Sequence, residues 1–294
     1  ILPKAAGNSC ISHEGLLPVV ERLRAVAALA CNALKDGSPP TVVFVQFGGG
    51  YFGRGAKTSA VEQCSASALA ASLHLERSDL KVRVLDFNPR LDAARIAEKI
   101  SAELASDDHF IASGYDGQLT RRVPHLAVQE PAEYQPRDIS WTASDVILVT
   151  GGAKGITAAC ALEFARKTGA QMALVGSSSP DSQKTGGESG NEISQTLARY
   201  AEAGLTAAYY QCDIADQEAV QNLVRLVQED LGDITGVIHG AALNKPRNLD
   251  AVLADEAVRE VAPKVLGAAN LCHALTNQPL KLFIGFSSII AVSG

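Results

Sequence analysis

No apolar run of eighteen residues occurs in this 294-residue chain, which excludes an ordinary membrane-spanning helix. The stretch 16–34 comes nearest, but Glu21, Arg22 and Arg24 interrupt it, so it reads as an amphipathic helix of a soluble protein and not as a signal or membrane segment. An excess of positive charge is missing too. With 26 Lys and Arg against 32 Asp and Glu the formal net charge is −6, which offers no general attraction to nucleic acid or to an anionic membrane surface. The six cysteines, at 10, 31, 64, 160, 212 and 272, show no C-x-x-C spacing. They therefore imply no metal site and read as reduced, mostly buried thiols of a cytoplasmic protein.

What is present is a regular alternation of apolar runs and helical patterns, with 47% hydrophobic and 20% charged residues, as in a soluble globular protein with a full core. In the first half the pattern predicts a helix over 16–33, a strand over 41–46, a glycine-rich loop over 47–55 and a helix over 58–76. A strand over 81–87, a helix over 91–104 and short strands over 109–113 and 118–128 follow. A polar, proline-containing connector, 129–144, leads to the second half. There, strands over 146–149, 172–175, 206–211, 236–239 and 282–286 alternate with helices over 156–167, 192–203, 217–230 and 251–275. Such alternation implies right-handed crossovers and a doubly wound parallel sheet, so the fold class is α/β with two Rossmann-like subdomains, 1–143 and 144–294. A Gly/Ser/Lys-rich segment, 177–191, should form an exposed, mobile loop.

The densest signal is Asp145-Val-Ile-Leu-Val-Thr-Gly-Gly-Ala-Lys-Gly-Ile-Thr157. An apolar, β-branched run without alternation suits a parallel strand covered on both faces. Gly151, Gly152 and Gly155 then let the backbone turn sharply and approach a pyrophosphate, which the amides and dipole of the next helix's N-terminus would hold. A glycine turn of this kind also serves as a plain strand-to-helix connection. The first half carries Phe47-Gly48-Gly49-Gly50, but the glycines are followed by bulky Tyr51 and Phe52 and no Thr-Gly-x-x-x-Gly appears there. This loop reads as part of a scaffold half without a site.

Read further, Thr150-Gly-Gly-Ala-Lys-Gly-Ile156, Cys212-Asp-Ile214, Val237-Ile-His-Gly-Ala-Ala242, Ala262-Pro-Lys-Val-Leu-Gly-Ala-Ala-Asn270 and Phe286-Ser-Ser-Ile289 resemble the ketoreductase domains of type I polyketide synthases and polyunsaturated fatty acid synthases, within the short-chain dehydrogenase/reductase superfamily. The resemblance covers the whole chain, with a cofactor-free structural subdomain preceding a catalytic one. It implies reduction of a β-ketoacyl thioester on an acyl carrier protein by NADPH, among neighbouring synthase domains, with no nucleic-acid or membrane partner. Thr150, Gly151, Gly152, Lys154, Gly155, Ile156, Ser177, Asp213, His239, Gly240 and Ala241 would contact the cofactor. Asp213 would accept from the adenine amino group, and as a turn or helix-cap aspartate it has an ordinary structural reading as well. His239 reads as packed and hydrogen-bonded more than as an acid or base. Lys264 and Ser288 would be catalytic, with Ser287 the adjacent candidate.

Three departures from that family stand out. Its tyrosine is expected about a dozen residues after the serine; Tyr51, Tyr115, Tyr134, Tyr200, Tyr209 and Tyr210 all precede Ser288, so the chain reads as a piece cut inside its reductase domain. Where the family commonly has an arginine that selects NADP, this chain offers Ser177 and its neighbours, with Lys154 as the nearby cation. Thr157 stands where many relatives have glycine. Two further readings stay open: a non-catalytic docking scaffold, which the absent tyrosine permits, and a free-standing short-chain dehydrogenase, against which the extra first half argues.

Overall fold

The computed structural model describes residues 13–33, 40–54, 63, 65–128, 130, 138–180 and 189–290. The chain divides into two compact units, one of Ile1–Glu133, Pro246–Val258 and Ser287–Gly294 and the other of Tyr134–Lys245 and Arg259–Phe286.

In unit 1 the order is α1 (His13–Ala33), β1 (Thr41–Gln46), α2 (Ala66–Glu76), β2 (Lys81–Phe87), α3 (Ala93–Leu104), β3 (Phe110–Tyr115) and β4 (Arg121–Arg122). The sheet runs β1-β2-β3-β4, parallel except for the antiparallel edge strand β4. Val42, Phe44, Val82 and Val84 pack on Ala66, Ala70 and Leu73 of α2 and on Ala27 and Ala30 of α1. Val45, Leu85, Phe87 and Tyr115 form a second buried cluster. Arg83 is fully buried because its guanidinium is spent on backbone: Nε donates to Glu103 O at 3.2 Å, Nη1 to Val82 O at 3.1 Å and Nη2 to Ser106 O at 2.9 Å, which closes the C-terminus of α3.

Unit 2 contains β5 (Val146–Thr150), α4 (Gly155–Thr168), β6 (Gln171–Gly176), α5 (Ser189–Glu202), β7 (Ala207–Gln211), α6 (Gln217–Asp230), β8 (Ile234–His239), most of α7 (Ala254–Ala274) and β9 (Leu282–Gly285). Its sheet is wholly parallel in the order β7-β6-β5-β8-β9. Alternate residues of β5 and β6 go to opposite faces. Val146, Leu148, Ala173 and Val175 pack with Val220, Leu223, Val224 and Val227 of α6 and with Leu271 of α7. Ile147, Val149, Met172 and Leu174 pack with Ala161, Leu162 and Ala165 of α4 and Tyr200 of α5. Both faces are thus covered, which is why these strands carry no polar alternation. Local chemistry sets the helix ends: Asp216 Oδ1 accepts from Glu218 N and Ala219 N at 2.9 and 3.0 Å, and Gly169, at φ 74°, ends α4.

Four expectations are corrected. The strand expected over 118–128 is reduced to Arg121–Arg122; 123–128 are exposed, and Pro124 has no amide to give a ladder. The helix expected from 91 starts at Ala93, since Asp92 caps it by accepting from Arg95 N at 2.9 Å. The region 251–275 is split into a 3-10 turn, Leu249–Ala251, and α7. Among the three cysteines at 160, 212 and 272, Cys212 is buried, whereas Cys160 and Cys272 lie exposed on α4 and α7. Residues 55–62 and 64 of the first glycine loop and helix, 129 and 131–137 of the connector, and 181–188 of the expected mobile loop lie outside the described residues.

Candidate functional site

In unit 2 the strand order reverses beside β5, and in open parallel sheets ligands bind at such a switch, off the carboxyl ends of the strands. Those ends carry Thr150 and the glycine turn after β5, and His239, Gly240 and Ala241 at the end of β8.

The turn is built by contacts that the bare motif does not reveal. Gly151, at φ 70°, donates to Val175 O at 2.8 Å, and a Cβ there would lie 2.8 Å from Gly240 O and 2.9 Å from Ala241 N. A Cβ at Gly152 would lie 2.6 Å from Val149 Cγ1. Buried Thr196 Oγ1 donates to Ala153 O at 2.9 Å and ties α5 to the turn. Gly155 differs from the first two glycines. It opens α4 at φ 59°, and a Cβ built on it meets nothing within 4 Å. Thr157, buried one turn into α4, packs against Gly240 so closely that a Cβ at 240 would collide with its Oγ1. The side chain at 157 is therefore accommodated because 240 has none. Ile156 is 77% exposed beside the helix start.

A hydrogen-bonded chain crosses from the turn to α7. His239 is buried, with Nε2 3.1 Å from Lys264 O and Nδ1 2.8 Å from Thr150 Oγ1. A carbonyl oxygen only accepts, so Nε2 carries the proton. Burial lowers the imidazole pKa below its ordinary value, opposed by the bond to Lys264 O, so the ring is neutral near pH 7. Nδ1 is then an acceptor, and the Thr150 hydroxyl donates to it. Thr150 Oγ1 in turn accepts from Ala241 N at 3.3 Å, and Gly240 N donates to Thr150 O at 3.0 Å. Thr150, Gly151, His239, Gly240, Ala241 and the backbone of Lys264 are thus brought together. The exposed Lys264 ammonium donates to Leu243 O at 3.0 Å.

The remaining residues are placed more loosely. Lys154, before α4, faces Glu192 of α5 at 3.8 Å. Ser177 is exposed just past β6, where Gln211 Nε2 donates to its carbonyl at 3.3 Å. Asp213 is exposed, and its Oδ1 accepts from Ala215 N at 3.0 Å, so the turn role is realised in the geometry. Ser288 and Ser287 are exposed in a segment that clusters with unit 1, and Ser288 Oγ accepts from Ile290 N at 3.3 Å.

Four described tyrosines, Tyr115, Tyr200, Tyr209 and Tyr210, are held above the ordinary phenol range. Burial raises Tyr115 to about 12, helped by its bond to Glu103 Oε1 at 2.6 Å. Burial likewise raises Tyr210 to about 12, beside Asp230, and raises Tyr200 and Tyr209. The Thr157–Gly240 contact and the Thr150–His239–Lys264 connection were not foreseen from the sequence. A signal for the first was available in threonine at 157 together with glycine at 240.

A KR domain is matched by residues 145–294. The chain is 34% identical over 157 residues to polyketide synthase PksL of Bacillus subtilis (strain 168), covering 53% of this chain and 3% of that protein. It is 26% identical over 273 residues to a component of the polyunsaturated fatty acid synthase of a Thraustochytrium species, covering 77% of this chain and 10% of that protein. The sequence thus spans a small part of the length of these relatives. A solved ketoreductase domain from the bacillaene assembly line shares the fold over 100% of this chain and 64% of its own, with a TM-score of 0.73 at 21% identity.

Proposed function

Because the chain belongs to the KR domain family, we propose that it serves in the NADPH-dependent reduction of a β-ketoacyl thioester, carried by an acyl carrier protein, to the β-hydroxyacyl thioester within a polyketide or polyunsaturated fatty acid synthase. In this reading 144–294 is the catalytic, cofactor-binding part and 1–143 the cofactor-free structural part. The observation that carries it is the pair of glycines at positive φ, Gly151 closed in by the β8 backbone and Gly155 open to its surroundings at the start of α4. An open position at a helix N-terminus, framed by a rigid turn, fits a pyrophosphate.

The dinucleotide, when bound, supplies the hydride. The chain's own residues hold and orient. Amides of the turn and of the first turn of α4 meet the pyrophosphate charge. Gly240, whose missing side chain makes room for Thr157, and the short Ala241 would offer backbone to the ribose and nicotinamide at the end of β8. Asp213 offers a carboxylate for the adenine amino group. Ser288 holds the carbonyl oxygen of the substrate by hydrogen bond, and the Lys264 ammonium supports the proton movement that accompanies reduction. None of the six tyrosines stands at the family's place for the main proton donor.

NADPH is preferred over NADH in this reading because nothing acidic follows β6 in Gly176-Ser-Ser-Ser179 and Lys154 lies at the turn. Its ion pair with Glu192 is half exposed, so the preference is modest, up to about fivefold for an interaction of ~1 kcal/mol. The test is a fluorescence titration of the chain with NADPH and NADH in parallel. Saturable binding, tighter for NADPH, is expected. Absence of binding by a folded chain would turn the reading toward a docking scaffold, and equal affinities would end the NADPH assignment alone.

A further inference from the structure

The glycine loop of unit 1 turns three of its amides onto one acidic side chain. Gly48, Gly50 and Gly53 follow β1 with the spacing G-x-G-x-x-G, and Asp86 stands at the end of β2, where an acidic residue commonly follows that pattern. In a dinucleotide site such an acid reaches a ribose. Here it turns back onto the glycine loop. Gly48 N donates to Asp86 Oδ1 at 2.5 Å, and Gly50 N and Phe52 N donate to Oδ2 at 2.7 and 2.8 Å. Asp86 has no exposed surface. Gly49, Gly50, Phe52 and Gly53 all have positive φ, at 88°, 85°, 54° and 76°, and such a run turns successive N–H groups inward into an anion-binding concavity. The neighbouring amides are used within the fold: Gly49 N donates to Phe87 O at 3.2 Å and Gly53 N to Gly48 O at 3.0 Å. Gly114 of β3 lets the loop down, since a Cβ there would strike Gly50 O.

Three inward amides focused on one buried carboxylate are more than a loop anchor needs, and they reproduce the donor set that a phosphate oxygen receives at a glycine loop. The two loops of the chain differ at this point. Among the described residues no side-chain carboxylate accepts from the amides of Gly152, Ala153, Gly155 or Ile156 in unit 2. We propose that the Gly48–Gly53 loop is an oxyanion-binding nest occupied in cis by Asp86, and that this internal carboxylate denies unit 1 a dinucleotide phosphate. The ligand class of the nest is a small oxyanion. The strand order β1-β2-β3, which never reverses, agrees with a half whose glycine loop is served from within.

The test vacates the nest. Asp86→Ala leaves the amides of Gly48, Gly50 and partly buried Phe52 without their acceptor and lowers the thermal midpoint by about 5–10 °C. Sodium formate, sodium acetate and inorganic phosphate are then titrated against sodium chloride at matched ionic strength, with Asp86→Asn and the unsubstituted chain alongside. The expected result is a saturable recovery of the midpoint in Asp86→Ala, accompanied by movement of the Gly48, Gly50 and Phe52 amide resonances, and neither effect in the unsubstituted chain. Recovery by formate and acetate alone identifies a nest shaped for carboxylate, and recovery by phosphate also identifies one that admits a phosphoryl group. If Asp86→Ala does not fold in chloride, refolding it in formate is the equivalent measurement, and folding there supports the nest. Anions acting no better than chloride on Asp86→Ala, or amides of the unsubstituted chain that shift with phosphate, would overturn the proposal. NADPH binding to unit 2 is read separately and does not enter either outcome.

Discussion

Replacing Asp145 by asparagine should remove a charge that unit 2 is built to keep ionised. Asp145 precedes β5 and is 2% exposed. Burial alone would raise its pKa, but hydrogen bonds from Lys281, Thr235 and Thr142 outweigh burial and bring it to about 2 from 3.8. Lys281 Nζ lies 2.6 Å from Oδ1, and Thr142 N donates to Oδ2 at 2.7 Å. The same ammonium donates to Ser140 O at 3.0 Å and lies 5.4 Å from the centre of the Trp141 ring, so it joins the entrance of β5 to that of β9. A folded-state pKa below the unfolded one contributes stability that is complete above the unfolded value and is lost as pH falls through the folded value. Between 3.8 and about 2 that contribution amounts to about 2 kcal/mol, trimmed by the partial exposure of Lys281. Asp145→Asn should therefore destabilise unit 2 by about 2 kcal/mol at pH 7, with the difference from the unsubstituted chain closing between pH 4 and 2. Lys281→Met, which strands the carboxylate, should cost at least as much, and the double variant less than the sum of the two. The chain's one tryptophan is Trp141, packed edge-on against Phe164, so urea unfolding followed by its fluorescence reports on this unit. Identical unfolding of Asp145→Asn and the unsubstituted chain at pH 7, or a difference that persists unchanged to pH 2, would refute the reasoning.

The other expectations concern the turn. Gly240→Ala drives a methyl into Thr157 and should cost about 1–3 kcal/mol in thermal unfolding, with Thr157→Ala restoring much of it in the double variant; independent effects would sink the contact. Gly151→Ala and Gly155→Ala separate fold from ligand. The first meets the backbone just after β8 at 2.8 Å and should lose stability and NADPH binding together, whereas the second meets nothing within 4 Å among the described residues, should cost only about 1 kcal/mol for its positive φ, and should weaken NADPH more than it weakens the fold. For His239 the expected nitrogen-15 signature is the neutral ring with the proton on Nε2 at pH 7 to 8, shifted by Thr150→Val. Because burial lowers this pKa from 6.5, its share of the stability is complete above that value and declines as pH falls through it, and His239→Gln should flatten that part of the profile in urea titrations.

How much of this was legible beforehand depends on whether the signal is local. The run from Val146 to Thr150 announces its strand because both of its faces meet apolar helices, and the helix expected over 217–230 matches α6, whose start the structure shows capped by Asp216. Strand β4 could not be sized from its pattern, since Arg121 and Arg122 pair across a turn, where Arg122 is held by Asp116 of that turn while Arg121 is held by Glu103 of α3. In the candidate site the glycines and Thr150 could be named from spacing, but the bonds linking Thr150, His239 and Lys264 span 89 and 25 positions and exist only once β5, β8 and α7 are side by side. The two glycine loops show the same limit. By residue type each is a strand followed by a glycine cluster, and the sequence argues against the first through bulky Tyr51 and Phe52 and the lack of Thr-Gly-x-x-x-Gly. In the folded chain what separates them is 34 to 38 positions downstream: Asp86, brought over by the parallel pairing of β1 with β2, takes the first loop's inward amides, whereas the second loop ends on Gly155 with open space beside it. On the two proposals above, the residue brought beside each glycine turn decides its ligand, so Asp86 and Gly155 are the positions whose substitution should change anion binding in units 1 and 2 respectively.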